Sequence, residues 1–301
     1  MWILVLLVLA VLIAFRPSDL ASDYTVYEAN FLTIISGGEV SVELGYRVFS
    51  LLSETLGFGF VGLLFIYAFI TLYYKFRFLI SLDELTAANT CFFVILYGIA
   101  FFPLWELTQI RNAAAVAVSC VAIVNHKAQK SIVLFLFAAL LHNVAIIIFI
   151  MWAVFRYFYT LRFVVVCAAA VVLYFIIEFM PYFSTYSLDV YLQAYNPFSF
   201  KVLFILVTFI FVYFHKQQVA KKIGFYAFAF LALYLSMGQM PAAAVRIVDI
   251  ALFFSVVSLA LTQGQFTAIY KLLTVVSLGY VYLNLAFFAE PPLLNIQSLL
   301  N

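Results

Sequence analysis

Residues 131–154 read SIVLFLFAALLHNVAIIIFIMWAV, and this stretch decides how the chain crosses a membrane. About 20 apolar residues cross the hydrocarbon core once as a helix, so this run is long enough for one crossing and short for two. Its centre carries the polar pair His142-Asn143. Backbone that leaves the helix at membrane depth is tolerated where protein surrounds it. The run therefore predicts a broken or re-entrant hairpin with His142 at its tip.

The distribution of basic residues favours the hairpin over a single crossing. Cytoplasmic loops carry an excess of Lys and Arg. With the N-terminus inside, the pairs Lys75/Arg77 and Lys127/Lys130 are cytoplasmic. A single crossing places the five later basic residues outside, whereas a hairpin places all of them inside as well. Those five residues are Arg156, Arg162, Lys216, Lys221 and Lys222.

The composition of the whole chain agrees with a membrane protein. Of the 301 residues, 68% are hydrophobic and 9% are charged, with a mean hydropathy of +1.17. Soluble domains carry about 25% charge, so a soluble globular protein is excluded. The apolar runs are unbroken on every face, which excludes the alternating pattern of a transmembrane barrel. We expect an all-α polytopic bundle forming one integral membrane domain over residues 1–301, with external loops at 16–56 and 181–199. About ten apolar runs carry this prediction: 2–15, 57–74, 87–104, 106–124, 131–154, 163–180, 200–214, 223–237, 246–262 and 267–288.

Of the charged residues, Arg111 is the hardest to explain by a purely structural role. It lies one turn into the apolar run 106–124. An arginine at the bilayer centre costs about 2.5–3.5 kcal/mol on insertion scales, and such a residue marks a functional site by default. The alternative is an arginine that extends its side chain to the interface. With the hairpin topology, Arg111 joins other polar residues in the external half of the membrane.

Other polar residues admit both a structural and a functional interpretation. Glu43, Arg47 and Glu54 share one face of a predicted amphipathic helix, in which Glu43 is placed to pair with Arg47. Arg246 and Asp249 are three residues apart, which fits either a self-neutralising pair or an anion-binding site. A lone histidine among apolar residues, such as His142, is either a hydrogen-bonded core residue or a base.

Nucleotide and metal motifs are missing from the sequence. There is no Walker motif and no nucleophile elbow. The glycines at 57, 59 and 62 fit GxGxxG, but no strand precedes them and they open an apolar run. Helix packing explains them better than dinucleotide binding. We therefore expect no cofactor and no metal.

Five short pieces of the chain follow one another in a specific order. The pieces are Arg16 followed by Asp23-Tyr24 and Tyr27, then Glu43-Leu44-Gly45-Tyr46, then Ile110-Arg111-Asn112-Ala113-Ala114-Ala115, then the stretch from Phe137 to Ile146 around His142, and last Arg246 with Asp249. In this order they resemble the EpsG/Wzy group of polysaccharide polymerases. The family often has Gly, Gln and Ser where this chain has Ser22, Asn112 and Asn143.

The resemblance implies a metal-independent glycosyltransferase of the bacterial cytoplasmic (inner) membrane, with an active site facing outward. Such an enzyme takes a growing glycan from undecaprenyl diphosphate and transfers it to the next lipid-linked repeat unit of an O-antigen, capsule or exopolysaccharide. The partners it implies are this lipid-linked oligosaccharide and the bilayer, with no nucleic acid. Binding of a chain-length regulator is left open. No nucleotide sugar or ATP is required.

The resemblance also implies roles for individual residues. Arginines suit the diphosphate because they bind phosphate in a bidentate manner. Asp23 and His142 compete for the role of base, with Glu43 in reserve. The candidate site residues are Arg16, Arg111 and Arg246 for the diphosphate, Asp23, His142 and Glu43 for catalysis, and Tyr24, Tyr27 and Asp249 for the substrate. Tyrosines at 182, 186, 191 and 195 suit a saccharide path or a lid.

Two other classes of protein remain alternatives. A flippase or transporter of lipid-linked oligosaccharide distributes charges through the depth of the bilayer and often shows repeat symmetry. Here the charges gather near one face and no repeat is found. A membrane acyltransferase that modifies a surface glycan also uses histidine and arginine, but its donor has to reach the cytoplasmic side.

Overall fold

A computed structural model describes residues 2–21, 23–82, 85–158, 160–179, 195–289 and 293–295. Within them the regular secondary structure is helical, apart from an isolated bridge between Ala21 and Leu294. Of the predicted tyrosine-rich loop, residues 181–194 lie outside the described residues. The all-α prediction is confirmed. The helices are α1 (Trp2–Ala14), α2 (Asp23–Ile35), α3 (Leu44–Thr55), α4 (Gly59–Ile80), α5 (Ala87–Leu96, continued by a π-helix Tyr97–Glu106), α6 (Ile110–Val124), α7 (Ala128–Leu141), α8 (Val144–Tyr157), α9 (Arg162–Phe179), α10 (Phe200–Tyr213), α11 (Gln218–Ser236), α12 (Pro241–Ala260) and α13 (Gln265–Phe287).

The lengths of these helices fit a chain that crosses a membrane several times. Among the described residues, five helical segments are long and apolar enough to span one, and shorter apolar helices accompany them. A full crossing needs about 20 residues at 1.5 Å each. The five segments are Gly59–Ile80, Ala87–Glu106, Gln218–Ser236, Ala243–Ala260 and Gln265–Phe287. The chain is thus a multi-pass helical membrane protein.

The helices form two compact units. The first contains the described residues within 1–83, 94–150 and 274–301, and the second those within 84–93 and 151–273. In the first unit α4 packs on α1, α3 and α6, and α6 also packs on α7. In the second, α11 packs on α9, α10 and α12. The expectation of one membrane domain over the whole chain stays a prediction.

The predicted break in run 131–154 is confirmed. Helix α7 ends at Leu141, His142 adopts extended backbone angles, and α8 starts at Val144. The rings of Phe135 and Phe149 lie 5.4 Å apart, although one continuous helix separates residues at this spacing by about 21 Å. The two helices are therefore folded toward each other at His142. Because each has 14 residues, each is about 21 Å long and shorter than the hydrocarbon core.

A close approach of backbones brings α3 onto this break. Gly45 in the first turn of α3 is buried, and a Cβ atom at this position would overlap the carbonyl oxygen of Leu140 in α7. Only glycine permits such an approach without displacement of the neighbouring backbone. Glu43 is two residues before Gly45, and His142 is two residues after Leu140. The contact therefore brings the carboxylate and the imidazole together.

Candidate functional site

The centre of the site is the carboxylate of Glu43, which joins two residues from distant parts of the chain. Its Oε2 accepts a hydrogen bond from Nη1 of Arg111 at 2.5 Å, and its Oε1 pairs with Nδ1 of His142. The Glu43 side chain is 7% exposed, against 20% for Arg111 and 17% for His142. Glu43 is the N-cap residue of α3, but its side chain makes no capping hydrogen bond. The carboxylate therefore binds Arg111 and His142 and does not cap α3.

The charge state of Glu43 fixes the proton on His142. Burial opposes ionisation, but the hydrogen bond with His142 and the positive charge of Arg111 lower the pKa of Glu43 to about 2. At neutral pH the carboxylate is ionised and can only accept hydrogen bonds. Nδ1 of His142 must therefore donate, and in the neutral imidazole the lone pair then lies on Nε2. This is the arrangement of an oriented general base.

Arg111 is held by aromatic faces as well as by Glu43. Its guanidinium carbon lies 5.3 Å from the ring centre of Tyr27 and 5.4 Å from that of Tyr46. The Tyr46 hydroxyl donates to the carbonyl of Tyr27 at 2.6 Å, which fixes one ring against the other. Cation–π contacts of this kind contribute about 0.5–2 kcal/mol each. Arg111 thus enters at the first turn of α6 and is fixed there from three sides.

Two buried polar atoms beside Arg111 have no hydrogen-bond partner among the described residues. They are Nε of Arg111 and the hydroxyl of Tyr67, whose side chain on α4 is fully buried. The Tyr67 ring lies 6.1 Å from that of Tyr46. Buried groups without partners cost about 1–3 kcal/mol each, so native proteins retain few of them. Their presence here is typical of a site that gains partners when a ligand binds.

Arg16 presents a second guanidinium on the same side of α2. It is 6% exposed and lies just after α1, with its carbon 5.5 Å from the ring centre of Tyr24. Nη1 donates to the carbonyl of Ile13 at 3.0 Å, whereas Nε and Nη2 have no partner within the described part of the chain. Burial lowers the pKa of Arg16 to about 10, against an opposing effect of Tyr24 and Tyr27. The group stays charged at neutral pH and is equipped to bind an anion.

Two tyrosines of helix α2 determine where the two arginines lie relative to each other. Tyr24 and Tyr27 are three residues apart and share a face, and both rings are buried. Because Arg16 lies against Tyr24 and Arg111 against Tyr27, the two guanidiniums flank one turn of the helix. Asp23, the first residue of α2, is partly buried at the same end.

The first unit holds an apolar cavity of about 780 Å³. Phe15, the neighbour of Arg16 in the chain, lines it and is 72% exposed. Leu52 from α3, Leu56 directly after α3 and Phe58 before α4 form other parts of the wall. An apolar cavity whose wall includes the chain neighbour of a buried arginine is suited to the apolar part of an amphiphile.

The predicted residues in the second unit have a different arrangement. The carboxylate of Asp249 is 1% exposed and pairs with Nζ of Lys201 at 2.8 Å. Arg246 is exposed, and no ion pair joins it to Asp249 among the described residues. The sequence did not predict Lys201, in the first turn of α10, as the partner of Asp249. No spacing within one helix links Lys201 to a residue of α12. Tyr195 packs on Tyr234 in this unit, with ring centres 4.9 Å apart.

The expected pair of Glu43 with Arg47 is wrong. Arg47 is exposed and donates to the carbonyl of Val40 at 3.5 Å. Glu43 is the N-cap residue of α3, and its side chain contacts Arg111 of α6 and His142 at the end of α7. Tyr46 and Tyr67 were also missed as site residues. Tyr46 lies within Glu43-Leu44-Gly45-Tyr46, one of the pieces that resemble the family, so the sequence did contain a signal for it.

Fold and site together define a multi-pass helical membrane protein whose first unit holds a partly buried Glu–His–Arg cluster and an apolar cavity. No group of three or more His, Cys, Asp or Glu side chains suited to a metal occurs among the described residues. The chain matches the EpsG family over residues 1–297 and belongs to that family. Membership supports a general role as a membrane protein of the polysaccharide-polymerase type in polysaccharide biosynthesis. No curated protein and no solved structure gives a significant match.

Proposed function

We propose that this protein polymerises lipid-linked oligosaccharide repeat units at the outer face of the bacterial cytoplasmic membrane. It transfers the growing glycan from undecaprenyl diphosphate to a hydroxyl group of the next repeat unit. The observation that carries the proposal is the carboxylate of Glu43, which orients the imidazole of His142 and holds Arg111 at the same time.

The donor requires cations for its diphosphate and an apolar groove for its lipid. Arg111 and Arg16 supply two guanidiniums with buried N–H groups that lack partners among the described residues. The cavity beside Phe15 supplies apolar surface for part of the polyprenyl chain. Arg246 of the second unit is kept as a third diphosphate candidate on the strength of the family resemblance.

The acceptor requires a base, and we assign this role to Nε2 of His142. The acceptor oxygen forms a bond to the anomeric carbon of the donor sugar while the bond from that carbon to the diphosphate breaks. The hydroxyl proton passes to Nε2, and the electron pair leaves with the diphosphate. Glu43 stabilises the imidazolium that forms, and the arginines stabilise the charge that grows on the leaving group.

Asp23, Tyr24, Tyr27 and Asp249 keep secondary places in this proposal. Asp23 is the competing base. Tyr24 and Tyr27 were expected to position sugar, and their burial under the guanidiniums favours a role in holding the arginines. The ion pair of Asp249 with Lys201 supports a structural contribution within the second unit.

A deletion strain complemented with variants tests the proposal. Polysaccharide on a gel should show a ladder with the unaltered protein and with Arg47→Gln, which changes an exposed arginine. Arg111→Gln should give single repeat units at the surface and no ladder, at equal protein level. Single units retained inside would instead indicate a flippase, and a full ladder that lacks a substituent would indicate an acyltransferase.

A further inference from the structure

A basic cavity of about 590 Å³ lies in the second unit, apart from the cluster around Glu43. Arg162, Lys221 and Lys222 line it, and Arg156 lies close enough to Lys222 to repel it. None of the described residues that line the cavity is acidic. In the hairpin topology, which the distribution of basic residues favours over a single crossing, all four cations lie on the cytoplasmic side.

Two helices begin at this cavity. Arg162 is the first residue of α9 and Gln218 the first of α11, and both line the wall. The first amide N–H groups of a helix lack intrahelical acceptors, and its N-terminus carries a partial positive charge. Basic residues are therefore unfavourable at these ends unless an anion lies among them. Neither helix has an acidic residue in its first turn.

An apolar cavity continues the basic one. It has a volume of about 660 Å³ and shares Arg162 and Tyr213 with the first. Its further wall includes Phe163 and Ile210, whose side chains are about half exposed. Arg162 lies between the two regions, with its guanidinium carbon 3.8 Å from the ring centre of Phe225. The shared wall gives a single site with a cationic end and an apolar end.

We propose that this double cavity binds an anionic glycerophospholipid, with the phosphate among Arg162, Lys221 and Lys222 and an acyl chain along Phe163 and Ile210. Basic pockets between membrane helices on the cytoplasmic side are suited to such headgroups. A free phosphate ion satisfies the cations but leaves the apolar region unoccupied, which is why the lipid is the occupant. The site is independent of the proposed polymerase chemistry.

Native mass spectrometry of the full-length protein in detergent tests the site. The protein is titrated with phosphatidylglycerol, phosphatidylcholine or sodium phosphate. We expect phosphatidylglycerol to be retained in preference to phosphatidylcholine. The double variant Lys221→Gln/Lys222→Gln should weaken the phosphatidylglycerol adduct roughly thirtyfold.

The matched control is Lys127→Gln/Lys216→Gln, which removes two exposed lysines outside the cavity. It should bind phosphatidylglycerol as the unaltered protein does. If the double variant does not fold, Lys222→Gln alone should weaken binding roughly fivefold. Equal retention of both lipids, equal loss in the control, or competition by phosphate at the same concentration would overturn the proposal.

Discussion

Glu43 and His142 are 99 positions apart in the chain, and their side chains are hydrogen-bonded. The contact exists because Gly45 lets α3 approach the end of α7 at Leu140. The N-cap residue of α3 thereby contacts the residue at which the chain leaves α7. The buried carboxylate then determines which imidazole nitrogen carries the proton.

His142→Gln should abolish polymerisation while the protein still accumulates. Glutamine retains a polar group of similar size but cannot accept and return a proton at neutral pH. General bases contribute about 10²–10⁴-fold to rates, so repeat-unit transfer in membranes should fall by that factor. His126→Gln, at an exposed position, is the control. Normal ladders from the His142 variant would transfer the role of base to Asp23.

Glu43→Gln should alter stability in a pH-dependent manner. The pKa of Glu43 is about 2 in the folded protein and about 4.3 in an unfolded chain, so ionisation stabilises the fold above the unfolded value. The unaltered protein should be more stable than the variant at pH 7. The difference should shrink as the pH falls from about 4.5 towards 2. Thermal unfolding in detergent across this range measures the difference in stability. A difference that does not depend on pH would contradict an ionised Glu43 in the folded protein.

Arg111→Lys should retain the charge and lose the function. Lysine cannot form the planar bidentate contacts of a guanidinium or stack as well between Tyr27 and Tyr46. Loss of one such transition-state contact costs about 10²–10³-fold in rate. Arg47→Lys is the matched control because Arg47 is exposed. Transfer measured with purified lipid-linked repeat units gives the rate. A lysine variant that works at the normal rate would show that charge alone suffices.

Arg16→Met should leave the protein as stable as before or more so, while polymer is lost. The buried guanidinium has two N–H positions without partners in the described chain, which costs free energy in the unliganded protein. Methionine fills similar space and removes that cost. Thermal unfolding and the polysaccharide ladder are measured on the same samples. A large loss of stability would assign Arg16 a structural role instead.

Gly45→Ala should destabilise the protein by about 1–3 kcal/mol, the usual range for overpacking. The added methyl group overlaps the backbone of Leu140, which cannot move without shifting α7. Polymerisation should fall as well, since Glu43 and His142 are drawn apart. Gly279→Ala is the control, because a Cβ atom there meets no atom within 4 Å. Equal stability of the two variants would show that α7 can shift away from the added methyl group at little cost in free energy.

Local patterns predicted much of this molecule. Apolar runs predicted the apolar helices, since each run has to satisfy its own backbone hydrogen bonds in a membrane. The polar pair at His142-Asn143 gave the position of the break, because two polar residues interrupt an otherwise continuous run. Arg111 was singled out because charge inside an apolar helix is costly.

The sequence by itself determined the class of the protein, its apolar helices and the break at His142, because these depend on the transfer of neighbouring residues from water to lipid. It did not predict α2, which lies in the expected external loop 16–56. Only the tertiary structure decided the partners of the charged groups. Glu43 pairs with Arg111 and His142 and not with Arg47, and Asp249 pairs with Lys201. Such pairs join helices that are far apart in the chain, and they depend on how closely two backbones approach. No periodicity within one helix encodes that distance.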